Sequence, residues 1–222
     1  MSAVNTPSVF IYVIDRDYGF APNPFHGYCT LATCKPGIRK SANLGDWVVG
    51  VGGSRLQGFG QCIYAMKITH KTTFNDYWTS PEYIDKKPVR NGSSVSMAGD
   101  NIYYYCPDAK QWLQADSHHS NKDGSINESN LKTDTSKTDA VLISEHFYYF
   151  GKDAPDIPEA IRRSMGLSKN PRSYLRKQNG ECDAFIDWIE RSYKSCLNQV
   201  SGDPFDFDNV HHRYDAQSNK AG

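Results

Sequence analysis

Between Gly99 and Ser120 the chain reads GDNIYYYCPDAKQWLQADSHHS, which sets Asp100, Asp116, His118 and His119 among Tyr103, Tyr104, Tyr105 and Trp112. Carboxylates and imidazoles move protons or read the polar edge of a ligand, while aromatic faces hold a planar one by stacking. Imidazole titrates near neutrality, so Asp116, His118 and His119 are the candidate catalytic groups if the protein is an enzyme. Adjacent residues of extended backbone face opposite ways, so one of the two histidines is expected to reach any given site. Loop-capping hydrogen bonds are the competing role for this polar turn. Asp100, Asn101, Tyr103, Trp112 and Ser117 are candidate ligand contacts, and a flat, polar ligand such as a nucleobase suits them.

Further candidates lie elsewhere in the chain. Tyr18, Phe20 and Asn23 stand in YGFAPNPFHGYCTLATCKPGIR, and Trp47 stands in DWVVGVGG, where alternation favours the core. Lys35 and Arg39 with Lys40, and Lys86 and Lys87 with Arg90, form two basic clusters suited to phosphate. His26, Cys29 and Cys34 have the ligand types that zinc favours, but a fourth ligand is missing locally, so no metal is expected. Buried, inert thiols are the expected reading of these cysteines, with a Cys29 or Cys34 nucleophile beside His26 as the sharper alternative. The stretch GVGGSRLQGFG lacks the GxxxxGK[ST] pattern and reads as a hairpin tip, with Arg55 as its only phosphate candidate. No dinucleotide, flavin or P-loop fingerprint appears, and no cofactor is expected.

The 222 residues carry 25 basic and 25 acidic side chains, so no field of one sign favours coating of duplex DNA. A single base, a nucleotide or a short DNA segment is the ligand class that remains. Aromatic residues reach 13% with 14 Tyr, so much of the buried area is expected from rings with polar tips. Tyr-rich strands also suit a homodimer surface. There is no apolar run of the roughly 20 residues that span a bilayer, and the six cysteines show no disulfide spacing. A soluble, cytoplasmic protein with reduced thiols is expected.

The elements that must position these residues follow from periodicity. SVFIYVIDRD reads as a buried strand, DWVVGVGG and QCIYAMKIT as a hairpin, NIYYY and QWLQA as strands joined at Pro107-Asp108, and VLISEHFYYFG as a last strand. THKTTFNDYW reads as a short helix capped by Thr72 or Thr73. SHHSNKDGSINESNLKTDTSKTD, polar for over twenty residues, reads as a long loop or lid. IPEAIRRSMG and ECDAFIDWIERSYKSCLNQV have helical spacing. The fold class is α+β: a mainly antiparallel curved sheet or partial β-barrel with C-terminal helices packed on it. One domain is expected over residues 1–200, β-rich to 151 and helical from 152, with 201–222 as a frayed tail.

GDWVVG, IYAMKIT and FNDYW in this order resemble the PUA-like superfamily, including EVE and ASCH domains, over about a third of the chain. GFAPNPFHGYCTLATCKPGIR, GDWVVG, YWTSPEY, KKP, GDNIYYY, DSHHS and HFYYFGK together resemble the nucleotide modification associated domain 2 family over nearly all of it. That resemblance implies a phage or bacterial setting of DNA base modification and leaves the chemistry open. Three functions are therefore in view. The chain holds a modified nucleobase in an aromatic pocket, or it is an enzyme using Asp and His acid-base chemistry on a nucleotide, or it sequesters a nucleotide signal in phage-host conflict.

Overall fold

The computed structural model describes residues 6–167, 171, 173–215 and 220–221, so the last part of the expected tail, at 216–219 and 222, lies outside the described residues. In chain order the elements are β1 (Val9–Ile14), β2 (Cys29–Leu31), α1 (Pro36–Ser41), β3 (Trp47–Gly52), β4 (Cys62–Lys67), β5 (His70–Thr73) and α2 (Phe74–Thr79). After a 3-10 segment at Pro81–Lys86 come α3 (Ser94–Met97), β6 (Tyr103–Cys106), β7 (Gln111–Gln114), α4 (Glu128–Thr135), β8 (Ala140–Ser144) and β9 (His146–Tyr149). The chain closes with α5 (Glu159–Ser164), β10 (Tyr174–Lys177), α6 (Asp183–Ser192), β11 (Gln199–Val200), β12 (Tyr214–Asp215) and β13 (Lys220–Ala221). The fold is mixed α+β. Its described strands lie in open sheets and close into no barrel, so the curved-sheet form of the expectation is the one found.

Contacts divide the chain into two compact units. The first comprises Met1–Arg16, Ala42–Thr69 and Ser144–Phe205. Its sheet has the order β10-β1-β3-β4-β9-β11, with β3 parallel to β1 and antiparallel to β4. The apolar runs VFIYVI and WVVGVG are buried along nearly their whole length, as strands covered on both faces require. The glycine-rich tip after β3 is a packing device: a Cβ on Gly52 would lie 2.3 Å from the Gly58 carbonyl oxygen, so only glycine permits that backbone approach. Helix α6 turns Phe185 and Ile189 inward, and its Glu190 meets His146 of β9 at 3.2 Å. Trp47 is 1% exposed with its ring edge-on to His146, which makes it a core residue of this unit.

The second unit comprises Asp17–Ser41, His70–Ile143 and Asp206–Gly222. It holds the small sheet β2-β8-β5, the expected β6-β7 hairpin, and a core in which Phe25, Phe74, Tyr77, Tyr103 and Val210 participate. Thr73 caps α2 by accepting from the Asp76 amide, and Phe74 and Tyr77 are the buried side of that helix. The polar stretch expected as a loop or lid contains α4, whose buried side chains are Asn130 and Asp134. The stretch expected as a frayed tail is bound in this unit: the Asp206 amide donates to the Asp17 carbonyl, Phe207 stacks on Phe25, and Val210 is 1% exposed.

Candidate active site

The segment from Asp17 to Cys34 has too many prolines and glycines for long regular elements, and a buried polar network holds it instead. Lys86 Nζ donates to the Asn23 side-chain oxygen at 2.8 Å and to the carbonyls of Asn23 and Tyr28 at 3.0 and 2.8 Å. Thr30 Oγ1 and the Tyr77 hydroxyl donate to the two oxygens of Asp100 at 2.7 and 2.8 Å, and Asn23 Nδ2 donates to the Ala98 carbonyl. Asn101 Nδ2 donates to the carbonyls of Tyr77 and Tyr83. Burial lowers the Lys86 pKa to about 8 against the pull of Asp100, and burial raises that of Asp100 against Lys86, Thr30 and Tyr77. A Cβ on Gly99 would lie 2.5 Å from the Lys86 carbonyl oxygen, which explains the glycine before Asp100. Asn23, Lys86, Asp100 and Asn101 thus meet one another, and their hydrogen bonds fix the loop that leads to Cys34.

Cys34 follows that loop directly. It is half-buried and stands with Lys35 in left-handed backbone, φ 56° and 39°, a conformation that costs a non-glycine residue about 1–3 kcal/mol and recurs at functional sites. Its Sγ lies 3.7 Å from Nε2 of His119. Nδ1 of the same imidazole lies 3.0 Å from Oδ2 of Asp134, which also accepts from the Tyr103 hydroxyl at 2.9 Å. The Cys34 amide donates to Oδ1 of Asp134 at 2.7 Å. Arg39, 0% exposed, stands 3.9 Å from that oxygen and donates to the carbonyls of Cys34, Asp134 and Ala140. Thiol, imidazole and carboxylate are therefore in series, with the carboxylate orienting the ring so that Nε2 faces sulfur.

Electrostatics separate the two adjacent histidines. Burial opposes charge on His119, but the Cys34 sulfur and the Asp134 carboxylate outweigh it and raise its pKa to about 10. Burial, reinforced by the charge on His119, lowers the His118 pKa to about 3. Asp134 is held below the usual carboxylate range, since contacts with His119, Arg39 and Tyr103 outweigh its burial. Burial and Asp134 keep the Tyr103 hydroxyl protonated, hence a donor. His118 is neutral and structural: its Nδ1 donates to the His212 carbonyl, and its ring lies 4.4 Å from that of Tyr18. Two neighbouring groups with pKa values driven apart are the pattern expected where one of them does proton chemistry.

The turn that presents them is self-capped. The His119 amide donates to Ser117 Oγ, the Ser117 amide to Ser120 Oγ, and Ser120 Oγ to Asp116. Phe20 packs against both imidazoles at 5.2 and 4.8 Å, so Tyr18, Phe20, Tyr103, Ser117, His118 and His119 form one cluster. Tyr18, Phe20 and Tyr103 are at most 5% exposed, and their faces are spent on the protein's own rings. Trp112 packs edge-on to Phe74 and Tyr105, and Lys87 lies 3.8 Å over the Trp78 ring. Asp116 receives Arg90 at 3.2 Å and Arg213 at 3.1 Å.

Cys34 stands with His119, 85 positions away, and no hydrogen bond joins it to His26. Cys29 lies fully buried in β2 with its thiol pushed up by burial. Asp134 was missed by pattern: an aspartate in NLKTDTSKTD carries no signal until α4 turns it inward. All six cysteines are free. Among the described residues no group of three His, Cys, Asp or Glu side chains is arranged to hold a metal ion, and no helix is long and apolar enough to cross a membrane.

Neither the curated proteins nor the solved structures contain a match to this chain. A family model does match residues 6–211 of the chain, a span that includes Cys34, His119 and Asp134. That match spans nearly the whole chain, which therefore belongs to the family described as nucleotide modification associated domain 2.

Proposed function

We propose that this protein is an enzyme of nucleotide modification that works through covalent thiol catalysis, with Cys34 as nucleophile, His119 as acid and base, and Asp134 as the residue that orients His119. The observation that carries the reading is the series Cys34 Sγ to His119 Nε2 at 3.7 Å and His119 Nδ1 to Asp134 at 3.0 Å. The family's connection with nucleotide modification supports the substrate class. The reaction class the arrangement suits best is acyl transfer. The Cys34 thiol gives its proton to Nε2 of His119 and the sulfur attacks an electrophilic carbonyl carbon, forming a C–S bond, while the carbonyl π pair moves to oxygen. Collapse of that adduct expels an amine or alkoxide, which takes the proton from Nε2 of His119. A second nucleophile, an amine or water, then gives its proton to Nε2 as it attacks the thioester, and the C–S bond breaks. No electrons leave the system, so no oxidant or reductant is needed.

The test is alkylation of the intact protein by iodoacetamide, mapped by mass spectrometry, followed by incubation with acylated and free nucleotides. Cys34 is expected to react first among the six thiols, and His119→Ala is expected to slow it by about tenfold or more. A mass increase at Cys34 on exposure to an acylated nucleotide supports the reading. Equal reactivity of Cys34 in wild type and His119→Ala overturns it. Retention of an unaltered nucleotide by both wild type and Cys34→Ala, without turnover, favours the holding or sequestering function instead.

A further inference from the structure

The covalent site leaves one feature of the second unit without a role. Arg90, Asn91, Lys122, His211, His212 and Arg213 line a cleft of about 320 Å³. That volume is at the lower end of the roughly 300–1,000 Å³ range in which small ligands are held, so it suits one nucleotide rather than a long strand. Three of its six lining residues are Arg90, Lys122 and Arg213, with Asp116 bridging the two arginines and Asp123 also within electrostatic reach of Arg90.

The cleft is built rather than incidental. The Arg213 side chain is only 10% exposed, yet its Nε is buried with no hydrogen-bond partner among the described residues. The rest of that guanidinium is held in place, Nη2 donating to Asp116 and Nη1 to the His211 carbonyl. Arg90 is fixed by Asp116 on one side and by the Lys122 carbonyl on the other. Lys122 itself rides on a turn closed by the Asn121 amide on the Ser125 carbonyl and by the Asn121 side chain on Ser125 and Ile126. Two oriented guanidiniums are the donors that suit the planar pairs of oxygens on a phosphate.

The cleft is also wired to the imidazoles. The Tyr214 amide, next to Arg213, donates to the His118 carbonyl, and the Tyr214 ring lies 5.8 Å from that of His119. Asn130 Nδ2 donates to the carbonyls of both His119 and Tyr214. We infer that Arg90, Lys122 and Arg213 form a phosphate-binding subsite that anchors a nucleotide beside the thiol site. The identification of the bound nucleotide as the substrate rests on the function proposed above; the binding of phosphate does not.

The experiment is calorimetric titration of Cys34→Ala protein, so that affinity is read without thiol chemistry. The probes are deoxynucleoside monophosphates, the matching deoxynucleosides, inorganic phosphate, and a single-stranded octanucleotide without terminal phosphate. Monophosphates are expected to bind at least tenfold more tightly than their nucleosides, with affinity falling as salt rises. Lys122→Glu, an exposed change that spares the core, and Arg213→Gln are each expected to weaken monophosphate binding by about tenfold or more. Free nucleotide bound above octanucleotide identifies the terminal phosphate as the handle, and the reverse order identifies a strand phosphate. Equal affinity for nucleoside and monophosphate, or affinity unchanged in both variants, overturns the subsite. Intact monophosphate binding with an unreactive Cys34 overturns the covalent reading alone.

Discussion

Substitution of His118 by Asn tests the division of labour between the adjacent imidazoles. Asn retains a side-chain N–H positioned like Nδ1 for the His212 carbonyl, but it does not titrate. In the folded protein burial lowers the His118 pKa from the ordinary 6.5 to about 3. Between those values the unfolded chain binds a proton at this position and the folded one does not, so stability contributed here falls as pH falls. One proton is worth about 1.36 kcal/mol per pH unit, and after allowance for half-protonation at pH 6.5 the loss from pH 6.5 to 4.5 is about 2 kcal/mol. Other acid-titrating groups act in both proteins, so the quantity to read is the difference between wild type and His118→Asn. Urea unfolding at pH 6.5, 5.5 and 4.5 measures it. The loss of the ring contact with Tyr18 offsets the two curves by a constant, whereas the lost proton changes their slope. Wild type should lose about 2 kcal/mol more than the variant across that range. Parallel curves would show that His118 is charged or accessible in the fold, and the assignment of proton chemistry to His119 alone would fail.

Asp134→Asn removes the charge that faces Arg39 and exchanges one acceptor oxygen for a donor where Cys34 N, Tyr103 and His119 already donate. A cost of about 3–5 kcal/mol is expected in thermal unfolding, together with a His119 imidazole that titrates in NMR well below the wild-type value of about 10. An unchanged His119 titration would refute the orienting role. Lys86→Met strands the buried Asp100 carboxylate and should lower the melting temperature by roughly 6–20 °C, with partial recovery when Asp100→Asn is added. A single variant that melts with wild type would show that the loop network does not hold the fold.

Strands whose side chains are apolar on both faces were legible because burial is written into composition: VFIYVI and WVVGVG became the parallel pair β1 and β3. The β6-β7 hairpin and the Thr73 cap followed from turn and cap chemistry. The candidate site was half legible. The DSHHS turn stood out by residue type, and in the structure Ser117, Ser120 and Asp116 cap the turn while His119 faces the Cys34 sulfur. The partner of that histidine was not legible, because Cys34 and His119 are joined by tertiary contact and not by spacing. Aromatic residues expected as a stacking platform proved to be core, which sequence cannot distinguish when rings carry polar tips. The binding of Asp206–Val210 into the second unit was hidden because two apolar residues, Phe207 and Val210, are too few to define a period.

Helix α4 has an unusual basis for its place in the fold. Its fully buried side chains are Asn130 and Asp134, with Leu131 its apolar contact to the core, so hydrogen bonds and one charge cluster supply much of what holds it against its neighbours. Cooperative units of low apolar content open at a smaller free energy than the core that surrounds them. The orienting carboxylate can therefore be withdrawn by a local opening that leaves the sheets intact, and amide hydrogen exchange along Glu128–Thr135 would occur ahead of global unfolding. Under the proposed chemistry, the placement of Asp134 beside His119 is in this sense set by the stability of an eight-residue helix rather than by that of the whole protein.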